Sequence, residues 1–526
     1  MPETWPSDIQ ALTKLNLEKW QENFYVPVSH TEFDDYTSTL IKLWLEDALS
    51  LPEIDRQIFL SDGFPFWFNQ FVFAAVVKKR CSNEKVSVIS DTLSGGTFNP
   101  NWQKIGSQHQ MSWESSGVSL RVRRLVKNLN HGRPRNSVSR LLAPRRPQTL
   151  VMGSRSKLLD RFLKKKGGDF QYTYPSLFIR VDKTLLEPRC GVKTHFSDFA
   201  DKVLEHADST FRLKLKKHHN DLTDAIIRRH VFLMSVHNKV ADLGRTKDQT
   251  LIFGEPAKPI HKAISIAWKR MGGTTYGLHH GHAVGELALP DRTFHEFFAY
   301  DKFICPNREA QKAFANDVLI ADPSRVFCKT EFVSMTDQSK SLAPEICCPS
   351  INSSSSNGSV LIMGFPMNCQ IYYRQKGLYW STQLDLQIRV AKALLSNGIR
   401  VEYKVHPERR FPVTQIMREL GINVIDGKVE DKEIASRCVV ITYCASSTFP
   451  YILKKSNRVI YINSQHADWR KNHLKYLEQQ CRVIKATLRS NGSIHFDTTE
   501  LIDAIRDQDT HTKKAYSNKY YQGCWF

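Results

Sequence analysis

Val401, Tyr403 and Val405 alternate along the chain and lead into His406-Pro407, followed by Glu408, Arg409 and Arg410. The alternation predicts a strand over residues 401–405. Proline has no N–H to give to a sheet ladder, so the strand must end there. A histidine at the carboxyl edge of an α/β sheet stands where open α/β folds bind ligands. Lys404 and Arg409 flank it with positive charge, a setting suited to a phosphate. Some 40 residues later an apolar run over 439–441 enters Thr442-Tyr443-Cys444-Ala445-Ser446-Ser447-Thr448. Ser446, Ser447 and Thr448 at the start of a helix would offer hydroxyls and backbone N–H groups to an anion, helped by the helix dipole and without a metal. The same residue types also serve as plain N-caps. A third loop, Met363-Gly364-Phe365-Pro366, ends another strand, and its glycine permits close approach of a ligand.

The first half of the chain supplies candidate acids and bases. A strand over 274–278 runs into His279-His280-Gly281-His282, with Glu286 just beyond. Glu255 ends a strand over 250–253, and Asp91 ends one that starts at residue 86. Histidines and carboxylates at strand ends are natural proton carriers. The order of preference for the catalytic carboxylate is Glu286, Glu255, Asp91, Asp291, with His280 and His282 beside them. Three histidines this close raise zinc, but the glycine and the loop setting give no helical i, i+4 geometry, so no metal is expected. An inverting reaction needs one base, and a double displacement needs a carboxylate nucleophile with a separate acid or base. Both remain open.

The elements that must hold these residues alternate. Residues 8–80 are expected to be helical. The strand at 86–91, with the turn Leu93-Ser94-Gly95-Gly96, suits a first βα unit of a Rossmann-like domain, although GxGxxG spacing is absent. Strands at 250–253, 274–278 and 302–305 with helices at 260–271 and 309–315 imply a parallel α/β sheet. Residues 334–358 include four consecutive serines and no periodic pattern, which is linker composition. Strands at 359–363, 401–405, 422–425, 439–442 and 459–462 come next, with helices at 382–396 and 413–420. The expected organisation is an N-terminal Rossmann-like domain over 1–335, with a helical extension and a basic insertion at 121–168. A linker at 336–358, a second Rossmann-like domain at 359–505 and a tail at 506–526 complete it.

A strand ending in His406-Pro407, then an apolar strand ending in Ser446-Ser447-Thr448, then Lys454-Lys455 and another strand, resembles the C-terminal domain of GT-B transferases. More narrowly, it is similar to those using cytidine-nucleotide donors: sialyl- and polysialyltransferases, Kdo transferases and teichoic-acid glycerophosphotransferases. Residues 268–282 and 300–306 are similar to segments of GT-B N-terminal domains, so the resemblance spans about 248–465. It implies a fold of two Rossmann-like domains facing across a cleft. It also implies a metal-independent glycosyltransferase without a cofactor. His406, Ser446, Ser447 and Thr448 would hold the donor phosphate, and Pro407 would fix the loop. The implied donor is CMP-linked, Kdo or a related acid sugar, and the acceptor is a surface glycan such as capsule or lipopolysaccharide, or its lipid-linked precursor. The paired-acid-glycine motif of bacterial sialyltransferases is not evident in the first domain, which places Kdo ahead of sialic acid. A UDP- or GDP-sugar or a CDP-polyol is the alternative donor.

The net charge of +21 is concentrated: residues 121–168 hold 15 Arg or Lys against the single acid Asp160. Such a run suits an anionic membrane leaflet, where a lipid-linked acceptor would lie. Nucleic acid ranks lower as a partner, because the run has a single aromatic, Phe162, rather than interleaved ones, and no recognition-helix signature. A nucleic-acid-binding protein using 121–168 is nevertheless the alternative of another class. The first ten residues lack a signal-peptide layout and no CxxC pair occurs, so a cytoplasmic protein with reduced thiols is expected, peripheral on the membrane's inner face.

Overall fold

The computed structural model describes residues 2–90, 148–153, 156–167, 170–173, 190–244, 248–278, 287–288, 290–335, 359–365, 379–406, 410–426, 439–443, 449, 452–453, 458–464, 469–470, 473–478 and 481–507. The chain opens with strand β1 (Thr4–Pro6) and helices α1 (Ile9–Leu12), α2 (Leu17–Glu22), α3 (His30–Leu49), α4 (Glu53–Asp62) and α5 (Phe64–Asn83). Local chemistry sets their ends. Asp8 accepts from the Ala11 N–H at 2.8 Å and Asn16 from the Lys19 N–H at 2.9 Å, capping α1 and α2. Gly63, at φ +64°, ends α4 in the left-handed region and turns the chain directly into α5. Phe59, Phe64, Phe68 and Trp44 lie buried in the core that these helices build. No helix among the described residues is long and apolar enough to cross a membrane.

Strand β2 (Ser87–Ile89) pairs in parallel with β1 alone, Trp5 opposite Val88, in a two-stranded sheet. This corrects the expectation that the strand at 86–91 opens a Rossmann-like domain. Its residues are exposed or half-buried, whereas an inner strand of a covered parallel sheet is apolar on both faces. The first large sheet opens instead at β3 (Thr149–Met152), which is buried at all four positions. β4 (Phe170–Thr173), β5 (Thr250–Phe253), β6 (Thr274–Leu278), β7 (Lys302–Cys305) and β8 (Glu331–Ser334) complete it, all parallel, in the order β4-β3-β5-β6-β7-β8.

The basic stretch is corrected with it. Residues 148–153 and 156–167 are not an exposed insertion, because β3 is internal to the sheet and helix α6 (Lys157–Lys166) covers one face of it. Leu158, Leu159 and Leu163 of α6 join Val151, Ile252 and Leu278 in one apolar cluster. Lys164, Lys165 and Lys166 fall in the last turn of α6, where the helix dipole favours cations. Residues 121–147 lie outside the described residues. Helices α7 (Cys190–Phe211), α8 (His219–Ala241), α9 (Pro259–Arg270) and α10 (Arg308–Ala321) complete the first half.

The second sheet holds β9 (Ser359–Met363), β10 (Arg400–Lys404), β11 (Asn423–Ile425), β12 (Val439–Thr442), β13 (Val459–Asn463), β14 (Arg482–Leu488) and β15 (Ile494–Phe496). Their order is β11-β10-β9-β12-β13-β14-β15, parallel except for the last pair. Counted from β9 this is 3-2-1-4-5-6 with one antiparallel edge strand, a Rossmann order. The first sheet, counted from β3, runs 2-1-3-4-5-6, the flavodoxin-like doubly wound order. The chain therefore has two Rossmann-like α/β units, as expected. Helices α11 (Trp380–Ser396), α12 (Arg410–Glu419), α13 (His473–Glu478) and α14 (Thr498–Arg506) accompany the second sheet. Arg470 joins the halves through an ion pair to Asp317 of α10 at 2.7 Å, beside an antiparallel bridge between Leu287 and Trp469.

Charge is also buried in the first half. Arg229 of α8 donates to Asp62 of α4 at 2.6 Å, both 5% exposed, and Asp62 also accepts from the Trp67 indole at 2.8 Å. Nearby Lys262 of α9 is 1% exposed, and among the described residues its ammonium has no hydrogen-bond partner. It lies 5.6 Å from the centre of the Phe298 ring. Burial pushes its pKa from 10.5 down to about 7, against the pull of the Asp62 and Glu296 carboxylates. The unfolded chain thus holds this proton more tightly, and stability rises with pH between about 7 and 10.5. Lys262→Met is expected to melt above the wild type at pH 7, with the gap closing toward pH 10. Thermal unfolding over that range checks it, and a gap independent of pH would refute it.

Candidate functional site

In each sheet the strand order reverses once, and the crossovers leave that point in opposite directions. The gap at the carboxyl ends of the two strands there is where doubly wound sheets bind ligands. In the second sheet the pair is β9 and β12, with β10 alongside β9. Gly364 comes directly after β9, His406 lies just past β10, and Tyr443 comes directly after β12. Phe365 stands between the last two, its ring centre 6.5 Å from that of His406 and 6.4 Å from that of Tyr443. His406 is half-buried.

The floor under this edge is a buried hydrogen-bond chain. Tyr403 donates to Gln387 Oε1, Gln387 Nε2 donates to the Tyr443 oxygen, and Tyr443 donates to Gln383 Oε1 at 3.3 Å. Gln383 and Gln387 are successive positions on one face of α11, so the helix fastens the ends of β10 and β12 together. Burial holds the Tyr403 phenol well above its ordinary pKa, which keeps it a donor. Gly364 presses onto the same place. Its N–H donates to the Lys404 carbonyl at 2.9 Å, and a Cβ there would lie 2.5 Å from the Tyr403 oxygen and 2.7 Å from that carbonyl. Glycine is thus required for packing between β9 and β10, which the sequence suggested only as room for a ligand.

Lys404 is 3% exposed, and its ammonium donates to the Val405 carbonyl at 2.9 Å. Its side chain shares the sheet face of Glu402, which accepts from Asn423 at 3.2 Å and Ser359 at 3.4 Å. Lys404 therefore belongs to a buried polar face next to the loop. Pro407, Arg409, Ser446, Ser447 and Thr448 lie outside the described residues.

In the first sheet the order reverses between β3 and β5. Gly153 comes directly after β3 at φ +100°, and a Cβ on it would lie 3.1 Å from the Glu255 nitrogen. Glu255 stands just past β5, so this carboxylate is at the reversal. It is ion-paired with Lys258, and its side chain remains 25% exposed. His261, in the first turn of α9, donates from Nδ1 to the Glu255 carbonyl at 2.8 Å. Burial pushes His261 down to about 4, so its ring is neutral at neutral pH and fixes the loop without adding charge. Asp291 is elsewhere: its carbonyl accepts from the Phe294 and His295 N–H groups at 3.2 Å, at the entry to a π-helical turn (Thr293–Phe297). Asp91, His279, His280, His282 and Glu286 lie outside the described residues.

Sequence patterns alone do not single out Gly153, Phe365, Gln383, Gln387 and Tyr443. One signal is present: both sheets begin with strands that end alike, Leu150-Val151-Met152-Gly153 and Leu361-Ile362-Met363-Gly364. The pair of glutamines leaves none, since their partners are separated from them by 16 to 60 residues.

No protein-family model matches the chain, and no curated protein matches it. Among solved structures, the UDP-GlcNAc 2-epimerase of Methanocaldococcus jannaschii, determined in complex with UDP-GlcNAc and UDP, aligns with a TM-score of 0.34 and 9% identity. The alignment covers 71% of this chain and 96% of that one. A likeness at this level transfers neither substrate nor reaction, and the fold rests on the chain's own strand orders.

Two substitutions test the floor. Gly364→Ala forces the new methyl into Tyr403 and is expected to lower the melting temperature by several degrees. Gln387→Leu takes away the acceptor of the buried Tyr403 hydroxyl, while Tyr443 keeps its bond to Gln383, and should cost about 1–3 kcal/mol in chemical denaturation. An unchanged denaturation midpoint in Gln387→Leu would show that the chain of bonds carries no weight.

Proposed function

We propose that this chain is a metal-independent GT-B-type glycosyltransferase whose nucleotide-sugar donor binds at the order reversal of the second sheet. One observation carries the reading: β9, β10 and β12 end together at that reversal, which brings Gly364, Phe365, His406 and Tyr443 to one edge. His406 is suited to donate to a donor phosphate, Ser446-Ser447-Thr448 come shortly after Tyr443 in sequence, and Phe365 offers an apolar surface beside them. The likeness of the His-Pro and Ser/Thr motifs to cytidine-nucleotide enzymes favours a CMP-linked acid sugar such as Kdo, passed to a glycan or lipid-linked acceptor. Glu255, at the reversal of the first sheet, takes the base role toward the acceptor hydroxyl among the described carboxylates. Glu286, Asp91, His280 and His282 remain candidates on sequence. The positive charge over 121–147 is assigned to an anionic membrane surface.

Thermal unfolding with nucleotides tests this. CMP in EDTA is expected to stabilise the protein by about 2.7 kcal/mol at a hundredfold excess over Kd, and His406→Ala is expected to remove the effect. Stabilisation by UDP or GDP alone would change the donor base. A requirement for divalent metal, or stabilisation by polynucleotide only, would overturn the proposal.

A further inference from the structure

Helix α11 has a second polar face. Gln383 and Gln387 look toward the sheet; Asp385 and Arg389, offset from them by two residues or about 200° of helix rotation, look the other way. On that side is a cavity of about 410 Å3, where the end of α2 meets α11, β15 and the start of α14. Its lining includes Arg389 and Lys392 from α11, Ile494, His495 and Phe496 from β15, and the exposed carboxylate of Glu22.

Arg389 is held in place from behind. Its Nε donates to both oxygens of Asp385, at 2.9 and 2.8 Å, and Asp385 is 0% exposed. Gln21 reaches from α2 to the same carboxylate at 3.4 Å. With Nε taken, the two Nη groups remain. Among the described residues, no protein acceptor meets them, the Lys392 ammonium or the His495 ring. A guanidinium fixed through Nε presents its remaining N–H fork in a set direction, the geometry that matches phosphate and carboxylate oxygens. Lys392 stands one turn further along α11, and both cations act on the Asp385 carboxylate from the cavity side. Ile494 and Phe496 are largely buried and give the cavity an apolar side.

We propose that this cavity is a second ligand site, for a small organic phosphate whose phosphate meets Arg389 and Lys392 and whose organic part lies against Ile494 and Phe496. The site is separate from the order reversal and does not rest on the donor assignment. Inorganic pyrophosphate, titrated calorimetrically into the full chain, serves as the probe. Lys392→Glu is the informative variant, because Lys392 is half-exposed and takes no part in the Asp385–Arg389 hydrogen bonds. The affinity is expected to fall at least tenfold in Lys392→Glu while His406→Ala keeps it. Unchanged affinity in Lys392→Glu, or no binding to the wild type, overturns the proposal. The CMP response of the same Lys392→Glu protein reports on the donor site independently.

Discussion

Parallel strands can be joined only by crossovers, and crossovers of one hand that leave a strand pair in opposite directions cannot both roof the gap between them. This constraint operates twice in the chain, between β3 and β5 and between β9 and β12. At each gap the first strand ends in Met-Gly, and the glycine lets the next strand end come close. A methyl group at either position would push two strand ends apart. The candidate chemistry of both halves, Glu255 in one and His406 in the other, is placed by this geometry before any side chain contributes.

At the second gap the strand ends must also be fastened. A loop after a parallel strand has no ladder to hold it. Here the polar ends of Tyr403 and Tyr443 meet in the interior through the amide of Gln387, with Gln383 as the terminal acceptor. Each donor has an acceptor, which fixes the amide orientation and the direction of every bond. The rigidity of the edge therefore resides in α11, while the groups suited to meet a ligand are on the loops.

Strands β9, β10, β12 and β13 were legible because each is an unbroken or alternating apolar run bounded by glycine, proline or serine. The His-Pro break told where β10 stops to within one residue. β3 was hidden because only four residues carry its pattern and they come after a long basic, proline-bearing run. Charge dominated that stretch by number, while the leucines of α6 and β3 decided where its last third belongs. β2 misled in the opposite sense: its sequence suits a strand of any sheet, and only its pairing with Thr4–Pro6 shows which one. The buried position of Lys404 depends on neighbours in space, which spacing along the chain does not specify.

The N-terminal helices meet the far end of the sequence. The Val26 N–H donates to the Asn491 carbonyl at 3.0 Å, the Asn491 amide donates to the Phe24 carbonyl at 3.2 Å, and Gly492 is pressed so close to Val26 that a Cβ would stand 2.6 Å from it. The two segments in contact stand 467 residues apart along the chain. Contacts this distant in sequence form late and slow the completion of folding. The aromatic core of α3–α5 packs on α7, with Phe59 against Phe196 and Phe199 and Phe64 against Phe199. It is therefore the segment around Phe24 and Val26 that waits for the turn at 489–493.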